Sequence, residues 1–179
     1  MLRRAAASRL GAGFAVFPGG SVAPGDASLA ARWFGSEDHV ARAAGIRELA
    51  EEAAVVTTRA GPRPLGPTED PVEVVSADPP SPTEVPEIAR WIAPEFLEVR
   101  FDATFFAVGA PPGLMARPDE VEVDLAWWAS PADVLREHDL WESLMWPTYV
   151  TLRELAGCAT VQDVLSLRME QVAPPVRGP

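Results

Sequence analysis

Proline constrains this chain more than any other residue type, because each proline fixes φ and removes a backbone N–H donor. The 19 prolines are unevenly spread and are densest between positions 61 and 94, where large apolar residues are few. We therefore expect positions 61–94 to form a long, stiff connection. Within it, Val72–Val75 is predicted to be a short strand, and Glu84–Ile92 a helical turn or two, since Pro86 is tolerated in a first turn.

The rest of the sequence predicts a mixture of strands and helices. Runs rich in Phe and Val, or alternating apolar and acidic residues, predict strands at Leu97–Val108 and Val121–Trp128. Apolar spacing and capping residues predict helices at Ala41–Val55, from the N-cap Ser130 to about His138, at Pro147–Ala156 and at Thr160–Met169. With 179 residues the chain fits one domain. We take 1–179 as that domain and 170–179 as a flexible tail.

Composition narrows the function classes. The net charge is −11, and all 15 basic residues are arginine, so the clustered positive charge of nucleic-acid binders is lacking. The absence of lysine excludes Schiff-base chemistry and a Walker-type phosphate loop. No window approaches 18 apolar residues, which argues against a membrane span. The single cysteine, Cys158, makes a reducing, cytoplasmic location the expectation.

One face of the predicted helix Ala41–Val55 is crowded with carboxylates. Glu48, Glu51 and Glu52 lie at i, i+3 and i+4, opposite an apolar stripe. Like charges at these spacings destabilise a helix by about 0.2–0.5 kcal/mol per pair. A divalent cation would remove that cost, and Mg²⁺ prefers such hard oxygen ligands, with water and substrate phosphates completing its shell. The alternative is an ordinary solvated acidic face on the side of the helix opposite the apolar stripe, which consists of Ile46, Leu49, Ala50 and Ala53.

A glycine-containing loop, Phe17-Pro18-Gly19-Gly20, precedes this helix, which carries Arg47-Glu48-Leu49-Ala50-Glu51-Glu52. In this order the chain resembles the Nudix hydrolases. Their box runs Gly, five residues, Glu, seven residues, then Arg-Glu-apolar-x-Glu-Glu-x-Gly-apolar. Gly20 matches the first glycine, Asp26 stands where the family has glutamate, and the run from Arg47 to Val55 matches the remainder apart from position 54.

Two departures from the box concern the helix and what precedes it. Between Asp26 and Arg47 lie 20 residues where the box has seven, so we treat 27–40 as an insertion. A loop tolerates such an insertion because closure entropy grows only logarithmically with length. Ala54 replaces the closing glycine, which leaves the end of the helix unspecified. Asp26 is either a short replacement for the family's glutamate or a turn residue after Pro24-Gly25.

The segment before the box resembles one subgroup, the peroxisomal-type coenzyme A diphosphatases. Their signature, Arg-[Ser/Ala]-x3-Arg-x3-Gly-x3-[Phe/Tyr]-Pro-Gly-Gly, is matched by Arg4-Ala5, Arg9, Gly13 and Phe17-Pro18-Gly19-Gly20. The later segment Arg100–Phe106 also resembles that subgroup. The resemblance implies hydrolysis of a diphosphate linkage, with coenzyme A or an acyl derivative as the favoured substrate and Mg²⁺ or Mn²⁺ as cofactor.

The family's fold is an α/β/α sandwich with a mixed central sheet, and the resemblance implies that fold here. The family's first core strand normally lies just upstream of Arg4 and Arg9. One alternative is therefore a sheet that lacks this strand and has an unpaired edge.

The resemblance also implies a role for each matching residue. Glu48 and Glu52 would bind the metal, Glu51 would ligate it or deprotonate a water, and Gly20 would offer its carbonyl. Arg47 would orient a carboxylate. A further catalytic acid is expected from the predicted strand Val121–Trp128, with Glu122 preferred and Glu120 second. The residues expected to contact substrate are Arg4, Arg9 and Gly19.

Other functions stay open on the sequence alone. The same fold serves substrates such as ADP-ribose, NADH or another nucleotide. A degenerate domain that binds a nucleotide without cleaving it is the non-catalytic alternative. The expected partner is a small-molecule nucleotide, with no nucleic acid and no membrane, and a homodimer is compatible with the sequence.

Overall fold

The computed structural model describes residues 1–6, 11–95 and 100–169, which form seven strands and six α-helices. The strands are Leu2–Arg4 (β1), Ala15–Val16 (β2), Val55–Thr58 (β3), Gly61–Pro64 (β4), Glu87–Ile92 (β5), Asp102–Phe106 (β6) and Val123–Ala126 (β7). The helices are Asp26–Phe34 (α1), Val40–Ala53 (α2), Pro71–Ala77 (α3), Pro131–Glu137 (α4), Trp146–Ala156 (α5) and Val161–Ser166 (α6). A short 3₁₀ helix, Glu37–His39, joins α1 to α2. The α/β fold class expected from the sequence is confirmed.

The strands pair in three small sheets, and every ladder between them is antiparallel. β1 lies between β2 and β7, so that Leu2 is opposite both Val16 and Ala126. β1 is thus paired on both sides, and the unpaired edge that the sequence left as an alternative is not found at this strand. β3 pairs with β4, and β5 with β6. Ala89 of β5 also forms an isolated parallel bridge with Met169.

Helix α2 lies between two apolar clusters. On one side it shares a cluster with α1, β3 and α3, and on the other side Ala53 packs with Leu2, Val16 and Val123. The first cluster includes Ala30, Trp33, Ala43, Ile46, Ala50, Val56 and Val75. Burial of apolar area at about 25 cal/mol per Å² is the main force that holds such a helix in place. The acidic face of α2 is therefore presented in a fixed direction.

The segment treated as an insertion, 27–40, contains α1 from its second residue onward and the 3₁₀ helix. Trp33 is 6% exposed, and its indole N–H donates to Ser76 Oγ at 2.9 Å. This bond joins α1 to α3. The inserted residues are thus packed into the domain rather than looped out from it.

Two predicted elements in the proline-rich segment are wrong. Val72–Val75 lies in α3, because the Asp70 side chain caps the helix by accepting from Val72 and Glu73 N–H, and Pro71 suits its first turn. Glu84–Ile92 contains strand β5, not a helical turn, since it pairs with β6 and buries Ile88, Ala89 and Trp91. Positions 61–94 hold β4, α3 and β5, so half of the expected stiff connection is regular structure.

The other element predictions agree with the structure more closely. Helix α4 has Ser130 as N-cap, whose Oγ accepts from Asp133 N–H, and His138 as C-cap. Helix α6 starts at Val161, where the N-cap Thr160 forms a capping box with Asp163, and it ends at Ser166, short of the predicted Met169. In the predicted strand Leu97–Val108, the described part forms β6, while 96–99 lie outside the described residues, as does the tail 170–179. Within the described ranges, none of the helices is long and apolar enough to cross a membrane.

Candidate active site

Helix α2 supplies the acidic residues of the site. Glu48 and Glu52 lie one turn apart, and Glu52 is only 3% exposed. The helix ends because Ala54 adopts the left-handed conformation, with φ 51° and ψ 42°, and its N–H bonds back to the carbonyls of Ala50 and Leu49. Ala54 thus takes the backbone conformation for which glycine is usual at a helix end. The replacement of glycine leaves the helix boundary intact.

The glycine pair before α1 lies directly against this acidic face. Gly19 donates its N–H to Glu52 Oε2 at 2.8 Å. This bond replaces a hydrogen bond to water that the buried carboxylate has lost. A Cβ placed on Gly20 would overlap the carboxylate of Glu48. A larger residue at position 20 would therefore displace the Glu48 carboxylate from its place beside this backbone.

Arg47 joins the charges around it into one network. It donates to Asp26 through Nε at 2.8 Å and Nη2 at 3.1 Å, and to Glu51 Oε2 through Nη1 at 2.6 Å. The same Nη1 lies 2.9 Å from Glu48 Oε1. The hydrogen bond with Asp26 raises the pKa of Arg47 further above its ordinary value, although burial opposes this. The guanidinium thus stays charged and fixes the orientation of carboxylates on both sides.

Asp26 is bonded to Arg47, so it is more than a turn residue after Pro24-Gly25. It is 1% exposed, pairs with Arg47, and accepts a further hydrogen bond from Ala23 N–H at 2.7 Å. Burial alone would raise the pKa of Asp26, but Arg47 and the Ala23 amide outweigh it and hold the pKa below its usual range. The sequence signal for the contact between Asp26 and Arg47 is the position of Asp26, which stands where the Nudix box has glutamate.

The buried carboxylates of α2 have raised pKa values. Burial is the main cause at Glu52 and, with the charges of Glu48 and Glu122, it raises the pKa to about 7, while the Gly19 amide and Arg4 oppose the shift. Burial also raises the pKa of Glu48, against the effect of Arg47. The site thus holds negative charge at an energetic cost, which a bound cation would reduce.

Four further residues were predicted for the site: Arg4, Arg9, Glu122 and Glu120. Arg4 is on β1, near enough for its charge to lower the pKa of Glu52. Arg9 lies outside the described residues. Glu122 precedes β7, and its charge reaches both Glu48 and Glu52. Glu120 lies in a turn with φ 63°. Both glutamates precede β7, so the expectation that the further acid comes from a strand is wrong.

The donor set suits a hard divalent cation. In the described part of the chain, no three His, Cys, Asp or Glu side chains converge in a way that could hold a metal ion. Mg²⁺ needs fewer, because it is commonly bound by one or two carboxylates together with water and substrate phosphates. Glu48 and Glu52, beside the Gly19–Gly20 backbone, provide such a pair. Glu51 is engaged with Arg47.

Comparison with known proteins places this arrangement in a family context. No family model and no curated protein matches the sequence. Among solved structures, the NUDIX hydrolase from Alicyclobacillus acidocaldarius is similar to this chain, with a TM-score of 0.74 and 28% sequence identity. The match covers 97% of this chain and 88% of the other. Nudix hydrolases generally use divalent metal ions. The chain therefore has the fold of a Nudix hydrolase, and the similarity in structure and sequence supports its place in that superfamily of enzymes.

Proposed function

We propose that this protein hydrolyses a diphosphate linkage in coenzyme A or an acyl-CoA, releasing phosphopantetheine, or its acyl form, and 3′,5′-ADP, with Mg²⁺ or Mn²⁺ as cofactor. A pyrophosphatase activity towards nucleotide derivatives in general is supported by the Nudix hydrolase fold. The choice of coenzyme A and of the metal ion is our proposal.

The observation that carries the proposal is the arrangement around Glu52. A carboxylate that is 3% exposed is held by the Gly19 amide and lies one helical turn from Glu48. Burial raises the pKa of both acids although Arg47 and the Gly19 amide lie beside them, so their negative charge is held at an energetic cost. A divalent cation and a phosphorylated substrate account for the arrangement.

Each residue of the network has a role in this reaction. Glu48 and Glu52, with the Gly20 carbonyl, would hold the divalent ion, which supplies Lewis acidity to the phosphoryl oxygens and lowers the pKa of water. Glu51 is 52% exposed, and its Oε2 is bonded to Arg47, so the carboxylate is oriented at the open side of the network. It takes the proton from the attacking water there. Asp26 holds Arg47 in place.

The preference for coenzyme A is supported by Arg4. Its Nε is buried and has no hydrogen-bond partner among the described residues, although its charge acts on Glu52. A buried, unpaired guanidinium N–H suits a phosphate oxygen, for which arginine provides a fork of donors. Arg9 belongs to the same motif, and its contact with substrate stays a prediction.

Product analysis tests the proposal. The purified protein is incubated with coenzyme A, ADP-ribose or NADH, each with and without Mg²⁺ or Mn²⁺, and the products are separated by chromatography. We expect metal-dependent release of phosphopantetheine and 3′,5′-ADP from coenzyme A, and a higher KM in Arg4→Ala. Cleavage of ADP-ribose or NADH alone would overturn the coenzyme A assignment. If the folded protein binds these ligands and cleaves none, it is a binding domain.

A further inference from the structure

Asp119 organises the turn that leads into β7. Its Oδ1 accepts hydrogen bonds from the N–H groups of Val121, Glu122 and Val123 at 3.0, 3.1 and 3.0 Å. Its Oδ2 accepts a longer bond from Glu122 N–H at 3.3 Å. One carboxylate thus fixes three successive peptide groups, which is the way aspartate commonly stabilises a turn.

The turn holds a backbone conformation that needs support. Glu120 has φ 63°, a left-handed conformation that costs a residue other than glycine about 1–2 kcal/mol. Two backbone bonds hold the ends of the segment. Arg117 N–H donates to the Ala53 carbonyl at the end of α2, at 2.8 Å, and Ala5 N–H donates to the Glu122 carbonyl, at 2.9 Å. The turn is therefore fixed to both the acidic helix and β1.

Glu122 is the residue that this turn presents to the site. Its carbonyl is bonded to Ala5 N–H, next to Arg4 at the end of β1, and the segment before it is bonded at Arg117 to Ala53, the residue after Glu52 on α2. The neighbouring Val123 is 0% exposed and sets the register of β7, so the position of Glu122 depends on the turn before it.

We infer that Asp119 is a positioning residue, which holds Glu122 beside the Glu48–Glu52 pair so that a third negative charge strengthens the attraction for a divalent cation. The inference rests on the proposed function, because it assigns the pair to cation binding. Asp119 acts through Glu122, with its own carboxylate engaged by the three amides.

The hydrogen bonds indicate which substitutions separate this role from general stability. Asp119→Asn keeps an oxygen acceptor in place of Oδ1, whereas Asp119→Ala removes every bond. Glu122→Gln removes the charge but leaves the turn. Asp163 offers a matched control, since its carboxylate accepts from Ala159 and Thr160 N–H at the start of α6, a helix that contacts β5.

The test measures the affinity for Mn²⁺ without substrate, from the electron paramagnetic resonance signal of free Mn²⁺. Loss of one charge near the cation is expected to weaken Mn²⁺ binding about fivefold in both D119A and E122Q. The double variant D119A/E122Q should bind no more weakly than E122Q alone, because both changes remove the same effect. D119N and D163A should remain within about twofold of wild type. In hydrolysis assays, D119A should need a higher Mn²⁺ concentration for half-maximal rate.

Three results would overturn the inference: wild-type affinity in D119A, additive losses in the double variant, or wild-type protein that binds no Mn²⁺. If D119A does not fold, D119A/E120G takes its place, since glycine removes the cost of the left-handed turn. The outcome is separate from that of the proposed function. Protein that binds Mn²⁺ and cleaves none of the substrates overturns the proposed function, while the comparison of affinities still decides the role of Asp119.

Discussion

Two arginine–aspartate pairs in this protein share a hydrogen-bond geometry and differ in burial. Arg47 donates to Asp26 at 2.8 and 3.1 Å, and Arg90 donates to Asp102 at 2.8 and 2.5 Å. The side chains of the first pair are 16% and 1% exposed, and those of the second are 56% and 47% exposed. The two pairs therefore differ in how far water reaches them and not in their hydrogen-bond lengths.

The buried pair Arg47–Asp26 belongs to a wider network of charges. Arg47 and Asp26 lie between α1 and α2, where Arg47 also holds Glu51 and lies close to Glu48. Arg90 and Asp102 lie diagonally across β5 and β6, where water screens both charges. The same chemical pair thus organises a site in one place and joins two strands in the other.

The largest effect is expected for activity. Glu52→Gln should lower kcat by about 10²–10³-fold in saturating Mg²⁺, since loss of a metal carboxylate removes several kcal/mol of transition-state stabilisation. The matched control is Glu87→Gln on the exposed hairpin, which should leave kcat unchanged. Steady-state kinetics on the cleaved substrate measures both. An unchanged kcat in Glu52→Gln would remove Glu52 from the metal site.

The next effect concerns the stability of the two pairs. Asp26→Ala leaves Arg47 without its buried partner, which should cost about 3–5 kcal/mol and lower Tm by roughly 6–15 °C. Asp102→Ala should change Tm by no more than about 2 °C, because exposed pairs contribute little. Calorimetry of both variants gives the comparison. Similar losses in the two variants would contradict the argument that burial separates them.

The pH dependence of stability should also differ between the two regions. The pKa of Glu52 is raised from 4.5 to about 7, so folding favours its protonated form. The stability present below about pH 4.5 is therefore lost as the pH rises to about 7, by about 3 kcal/mol in total. The pKa of Asp102 is lowered by Arg90, so the stabilisation from this pair is lost as the pH falls below about 3.8.

Urea unfolding in EDTA at pH 5 and pH 8 measures this difference. Wild type should lose about 2–3 kcal/mol more than Glu52→Gln between these two pH values. Asp102→Ala should follow wild type, because its effect lies at acid pH. A Glu52→Gln variant with the wild-type pH dependence would show that Glu52 is not the group responsible.

Much of the local structure could be predicted from the sequence, because local signals decide it. The apolar spacing of Ala41–Val55 anticipates α2 at Val40–Ala53, and Ser130-Pro131 marks the start of α4. The prediction of a strand at Val72–Val75 is wrong because a short, valine-rich run fits a strand or a helix equally. The Asp70 side chain, which caps the first turn, decides for the helix.

The site could be predicted where its residues are close in sequence. Glu48, Glu51 and Glu52 were expected on one helix face, and α2 carries them there. The contact between Asp26 and Arg47 could not be predicted, because 20 residues separate them and their approach depends on how α1 packs. The hydrogen bond of Trp33 to Ser76 contributes to that packing, and it joins residues 43 positions apart.

The smallest effect is expected at Ala54, where this chain departs from the Nudix box. Its φ of 51° is left-handed, which costs alanine about 1 kcal/mol relative to glycine. Ala54→Gly should therefore raise Tm by about 2–4 °C, although the added flexibility of the unfolded chain offsets part of the gain. Ala31→Gly, in the interior of α1, should lower Tm by a similar amount, since glycine destabilises a regular helix. Calorimetry of the two variants compares the same substitution in two backbone conformations. Equal signs would contradict the left-handed helix end, and with it the fixed position of the acidic face beside the Gly19–Gly20 backbone.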